Sequence, residues 1–319
     1  MSETLIRLKA SRLQAARLRA WAPMGAYLVL CVVWGSTFLA IRVAVETVPP
    51  WTMIGARCLI AGAVLTAIAL ARGAAWPGRR ALASAALSGV LLFTGSQALL
   101  SWGELRLDSG EAAVLVCTGS LFTPVASWWL GASSRPSATA FAGLLLGFAG
   151  VAVLVRPGGP GAAGHGLASI ALLASSLSWA FGAAVAKRVK PARSALLGSG
   201  LQLLVGGVAS LALAGGRGEW VHLQAGLISG RSLLAMAYLI VMGSLVAFAC
   251  FGWLVHRWRP EILSTYGFVN PVVALFLGAA FAGEAVGARE VGATLIILCG
   301  VALVIFGNRT RSVVPLAEA

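Results

Sequence analysis

The sequence predicts an all-α polytopic membrane protein, with ten transmembrane helices arranged as two inverted five-helix repeats around a central cavity. Three observations lead there. First, 59% of the 319 residues are hydrophobic and 11% are charged. A soluble domain carries roughly 25% charged residues, so this chain cannot cover a water-facing surface. Second, its apolar runs have the ~20-residue length that a helix needs to cross a hydrocarbon core. Third, short motifs of one half return in the other at a nearly constant offset, as in the repeats of secondary transporters.

In chain order, residues 1–20 (MSETLIRLKASRLQAARLRA) interleave Arg7, Lys9, Arg12, Arg17 and Arg19 with Leu and Ile. They lack the apolar core and cleavage site of a secretory signal and run straight into a full span. Two readings stand: a basic amphipathic segment lying on the cytoplasmic membrane surface, or a disordered basic tail. Ten spans follow, at about 23–44, 51–71, 80–101, 110–131, 138–155, 166–186, 194–214, 232–254, 262–282 and 289–307. The first five make one repeat within residues 21–156 and the second five another within 157–309; 310–319 is a cytoplasmic C-terminal tail. The connections are short and rich in Pro, Gly or Arg, as in Val48-Pro-Pro50 and Arg156-Pro-Gly-Gly-Pro160. None could house a soluble domain, so function has to reside among the spans.

The formal net charge of +14 does not point to nucleic acid, because the basic residues sit in short clusters between apolar runs. With a cytoplasmic N-terminus, seventeen of the 24 Lys and Arg fall on the inside, six on the outside, and Arg57 lies within a span. That bias places both termini in the cytoplasm of a cell whose inner (plasma) membrane holds the protein. The five cysteines (Cys31, Cys58, Cys117, Cys250 and Cys299) all lie in apolar segments without Cys-x-x-Cys spacing, and read as free buried thiols.

The repeat is legible at several places. Trp34 is followed eight residues later by Arg42, and Trp179 by Lys187; Gly150-Val-Ala-Val-Leu resembles Gly300-Val-Ala-Leu-Val. Thr118-Gly-Ser120-Leu-Phe-Thr123-Pro124-Val resembles the stretch from Thr265 through Tyr266 and Asn270 to Pro271-Val. A proline inside a span removes one backbone donor and frees a carbonyl, which in lipid needs a partner within the protein. Pro124 and Pro271 are therefore the expected helix-break or gating positions. Five spans per repeat is an odd number, so the second half starts on the opposite side of the membrane. Gly143, Gly147, Gly150, Gly200, Gly206, Gly207, Gly292 and Gly300 are expected at close helix crossings.

Polar groups within spans face a cavity or bond back to their own helix. The candidate substrate-binding set is Trp34, Thr37, Gln97, Ser120, Thr123, Trp179, Tyr238, Tyr266 and Asn270. The two tryptophans and Tyr266 offer stacking surface, and the others offer hydrogen bonds. Ser96, Ser175, Ser176 and Ser244 are further polar span positions. Arg57, the one basic residue deep in a span, has two readings: a functional intramembrane charge, or the favoured structural one, pairing with Glu46 or reaching the outer interface by snorkelling. No Asp or Glu lies in mid-span, against proton-coupled export of organic cations. No catalytic residue, metal or cofactor is expected: the three histidines lie in loops or at span ends, and no metal-ligand cluster or phosphate loop is present.

Trp34-Gly-Ser-Thr-Phe, Pro49-Pro50 with Arg57, Tyr266 with Val269-Asn270-Pro271-Val-Val-Ala, and Gly283-Glu284 together resemble the EamA family of the drug/metabolite transporter superfamily, over nearly the whole chain. The resemblance implies ten helices in two inverted repeats and export of amino acids or similar small metabolites from bacteria; YddG-type members export aromatic amino acids. Where many members carry Gly-Glu after the fourth span, this chain has Gly131-Ala132. The expectation is an inner-membrane exporter of amino acids, aromatic and neutral ones favoured, working by alternating access. Its partners are a small-molecule substrate and the bilayer, with the oligomeric state open and a monomer sufficient. The alternatives are export of other metabolites or drugs, or a non-transporting membrane scaffold.

Overall fold

A backbone in lipid has to bond its own peptide groups, and helices do so within one segment. The computed structural model describes residues 2–106, 109–154, 165–188, 194–222, 228–273 and 287–307, and among them there is no strand. In order the helices are α1 (Ser2–Ala44), α2 (Pro50–Ala71), α3 (Arg79–Gly103), α4 (Ser109–Trp129) and α5 (Ala138–Leu154). The second half holds α6 (His165–Arg188), α7 (Ala195–Gly216), α8 (Gly230–Leu254), α9 (260–263 and 266–273) and α10 (Ala288–Gly307). Six are long and apolar enough to cross a membrane: α1 from Trp21, α2, α3, α6 from Gly166, α7 and α8. The stretches Ala138–Gly150 and Val291–Val304 are shorter apolar helices. The C-terminal tail, Gly283-Glu284 and the later part of the ninth predicted span lie outside the described residues. The basic N-terminal stretch continues α1 back to Ser2 without a break.

Local chemistry sets the helix ends. Pro50 opens α2, where a missing N–H costs nothing. Glu219, from the turn after α7, accepts from Thr52 N at 2.8 Å and Thr52 Oγ1 at 2.9 Å, so an acid caps the positive end of α2. Ser194 and Ser229 cap α7 and α8 through their hydroxyls.

Several helix pairings among the described residues recur when α(n) is exchanged for α(n+5). α2 packs on α7 and α5 on α10; α3 touches α6 and α7, as α8 touches α1 and α2. Glycines make the two self-paired crossings close. A Cβ on Gly62 would lie 2.7 Å from Leu204 N, and one on Gly300 would lie 2.6 Å from Gly147 N. Gly292, expected at a crossing, faces open space instead. The ends of α3 and α8 match in detail. Arg106 lies 4.0 Å over Trp102 and donates to its carbonyl, and Arg257 lies 4.3 Å over Trp253 and does the same.

Both α3 and α8 also contain a π-helical stretch, at Val90–Gln97 and Leu239–Ala247. A π turn places an extra residue in the helix and rotates the face that follows it.

Candidate functional site

The centre of the molecule is an aromatic cluster built from both halves. Trp34 of α1 and Trp179 of α6 meet edge to face, with centroids 5.2 Å apart and planes at 82°. Tyr266 lies 4.9 Å from Trp34, and Phe251 of α8 lies 5.4 Å from each tryptophan. Trp34 Nε1 donates to Gly243 O at 3.2 Å, across to the π-helical stretch of α8. Trp179 Nε1 is buried beside the Tyr266 side chain, without a well-formed hydrogen bond.

On one side of this cluster is a cavity of about 910 Å³, counted out to its mouth. Trp34, Thr37, Gln97, Ser120, Thr123, Trp179, Tyr266, Asn270 and Pro271 line it, together with Arg57, Ser96, Ser175 and Ser176. On the other side is a smaller cavity of about 290 Å³, reached by Ser127, Ala183, Lys187 and Val255. Residues after Trp34 (Thr37, Phe38 and Ile41) line the large cavity, whereas residues after Trp179 (Ala183 and Lys187) line the small one. The residues before Trp179, Ser175 and Ser176, face the large cavity.

Most lining hydroxyls are already bonded. Thr37 donates to Trp34 O, Thr123 to Gly119 O, and Ser176 to Leu115 O. Ser120 donates to Ser264 O at 2.8 Å, and Gly267 lets it come close, since a Cβ there would collide with the Ser120 hydroxyl. Asn270 ties α9 to α1: with its nitrogen turned to the carbonyls around it, it donates to Tyr266 O at 2.9 Å and Cys31 O at 3.1 Å. The Gln97 side chain has no partner among the described residues. The carbonyl freed by Pro271, that of Gly267, accepts the Cys117 thiol at 2.9 Å. It is therefore not the open acceptor that a proline in a span suggests.

Several expectations need correction. Tyr238 does not line the cavity; its hydroxyl bonds Ser36 Oγ at 2.5 Å, because the wider turn beginning at Leu239 brings Gly243 inward instead. Pro124 is buried but outside the lining, and α4 runs through it to Trp129. The interruption in α9 lies at 264–265, ahead of Pro271, where Gly267 N and Phe268 N bond three residues back. Arg57 departs furthest from expectation. It is 5% exposed, Glu46 is exposed to solvent, and Arg57 Nε donates instead to Ser244 Oγ at 2.6 Å. Its Nη1 is buried with no partner. No short-range sequence signal finds this contact, because the two residues are 187 positions apart.

Beyond the small cavity the helix ends are held together. Lys187 Nζ donates to Val255 O at 2.9 Å and Trp258 O at 2.7 Å, closing α6 on the end of α8. Tyr27 bonds Thr265 Oγ1 at 2.5 Å and packs on Trp258. Arg42, which matches Lys187 in the first half, is exposed and has no hydrogen-bond or ion-pair partner among the described residues. Nearby Glu104 is buried, and neither carboxylate oxygen has a partner.

A family model described as the EamA-like transporter family matches the chain twice, at residues 22–156 and 166–306. The chain belongs to this family. The inner membrane transporter YedA of Escherichia coli (strain K12) is 34% identical over 294 residues, 92% of this chain and 94% of its own. A probable amino-acid metabolite efflux pump of Salmonella typhimurium is 25% identical over 305 residues, 89% of this chain and 95% of its own. A probable terminal-alkyne amino-acid exporter of Streptantibioticus cattleyicolor is 33% identical over a shorter 134 residues, 41% of this chain and 44% of its own. One crystal structure, 20% identical, shares the fold with a TM-score of 0.74 over 91% of this chain and 99% of its own. Membership makes the chain a transporter rather than an enzyme.

Proposed function

We propose that the protein exports amino acids, aromatic and neutral ones favoured, across the bacterial inner membrane by alternating access. Its ten helices form two inverted five-helix repeats, with both termini in the cytoplasm. The observation that carries the reading is the large cavity ending on an aromatic floor, with a smaller cavity beyond it. A side chain of indole or phenyl size can stack on Trp34, Trp179 and Tyr266, while Gln97 and the remaining acceptor of Asn270 bind its polar end. The opposite sense in which α1 and α6 pass the cluster supports the inverted arrangement. The Lys187 clasp, without an equivalent at Arg42, supports a state closed on one side of the floor. In the other state the Arg42 side closes and the clasp opens. Two of the relatives, the amino-acid metabolite efflux pump and the amino-acid exporter, point to the same substrate class.

The test is efflux of radiolabelled amino acids from proteoliposomes, with and without a pH gradient. Saturable movement of phenylalanine, tryptophan or leucine is expected. Failure to move any amino acid sinks the substrate assignment and turns attention to other metabolites.

A further inference from the structure

We propose that Arg57 is the carboxylate-binding residue of the large cavity, which makes a free acid group a requirement for substrates; this rests on reading the cavity as the transport site. A guanidinium deep in a helix bundle is expensive unless a partner answers it. Arg57 has a neutral partner for Nε, Ser244, and its Nη1 is buried with none. Its outer end packs beside Gly243, where a Cβ would lie 3.0 Å from Nη2. No Asp or Glu lines the cavity among the described residues, so the wall carries a positive charge and no acid.

The second half shows what packing alone needs at this position. Arg57-Cys-Leu-Ile-Ala-Gly62 matches Gln202-Leu-Leu-Val-Gly-Gly207 at the offset that relates Trp34 to Trp179. Gln202 Nε2 donates to Ser88 Oγ at 2.9 Å, as Arg57 donates to Ser244. A neutral amide therefore suffices to tie this helix to a serine on its neighbour. What arginine adds is a charged fork with a spare donor, suited to a planar carboxylate. Gly243, beside the guanidinium, also accepts from the Trp34 indole, so the cavity sets a carboxylate donor next to an aromatic surface and fits an apolar or aromatic ring bearing a carboxylate. An amine, amide or ester of the same shape leaves the guanidinium unanswered.

The test uses the purified full-length protein and four indole probes: L-tryptophan, indole-3-propionate, L-tryptophanamide and tryptamine. Thermal unfolding is followed for wild type, Arg57→Gln and Arg57→Lys. In wild type the two acids raise the midpoint, and the amide and amine do not at the same concentrations. Arg57→Gln keeps the bond to Ser244 and unfolds no earlier than wild type without ligand. It binds the acids roughly ten- to a hundredfold more weakly, the loss expected for a charge-assisted hydrogen bond, and Arg57→Lys recovers part of the affinity. The proposal is overturned if the amide or amine stabilises wild type as well as the acids do. It is equally overturned if Arg57→Gln binds the acids unchanged, or if neither acid stabilises wild type. Arg57-dependent binding of indole-3-propionate without transport of any amino acid would leave this site standing and remove the amino-acid reading. Undiminished tryptophan transport by Arg57→Gln would remove the site alone.

Discussion

Asn270 and Tyr238 separate two uses of a polar side chain in a span. Asn270 faces the cavity and also joins α9 to α1 through Cys31 O. Asn270→Ala is expected to reduce transport and to cost about 1–2 kcal/mol of stability, because a buried carbonyl loses its donor. Both effects are readable from efflux and thermal unfolding of one preparation. Tyr238 bonds Ser36 away from the cavity. Tyr238→Phe should leave transport at the wild-type rate and lower stability by about 1 kcal/mol; a transport defect with normal stability would return it to the site. The aromatic pair and eight of the nine candidate side chains were readable, because a tryptophan eight residues before a cation recurs in the two halves and polar groups in spans are few. The sequence singled out Arg57 as a charge within a span but not its partner. The neighbouring acid in sequence, Glu46, suggested an ion pair, whereas the actual partner is a serine from the other half of the chain.

At the scale of the element, helix positions were legible because apolar length decides them, and α2 and α7 begin and end within a few residues of the expected bounds. The π-helical stretches in α3 and α8 were not, since no residue type demands them and they reset the face that regular periodicity assigns. Gly143, Gly147, Gly150 and Gly300, expected at close crossings without a named partner, meet where α5 crosses α10. Gly300→Leu should overpack it and destabilise the protein by about 1–3 kcal/mol; an unchanged unfolding midpoint would mean that the helices separate freely there. Just past the end of α3, burial pushes the Glu104 carboxyl up to about 8, with Arg42 drawing it back down. In an unfolded chain the same group titrates near ~4.3. Between those values the folded protein holds a proton that the unfolded chain has released, so stability falls as pH rises toward about 8 and levels off above it. Glu104→Gln should abolish that part of the slope in thermal unfolding measured from pH 5 to 9.

Across the molecule, the α2–α7 and α5–α10 pairs and the contacts of α3 and α8 recur when a helix is exchanged for the fifth one after it, while other features differ between the halves. Arg57 stands opposite Gln202, and a fastened Lys187 stands opposite an unfastened Arg42.

The clasp at Lys187 has a consequence for how sequence change is tolerated here. Lysine grips the carbonyls of Val255 and Trp258, groups that every amino acid carries. A saturation-mutagenesis map scored by export should therefore show position 255 accepting a wide range of residues of similar bulk. Position 187 should accept almost none, arginine included, because a planar fork cannot converge on two carbonyls as a compact ammonium does. If 187 proves as permissive as 255, the contact does not hold the closed state.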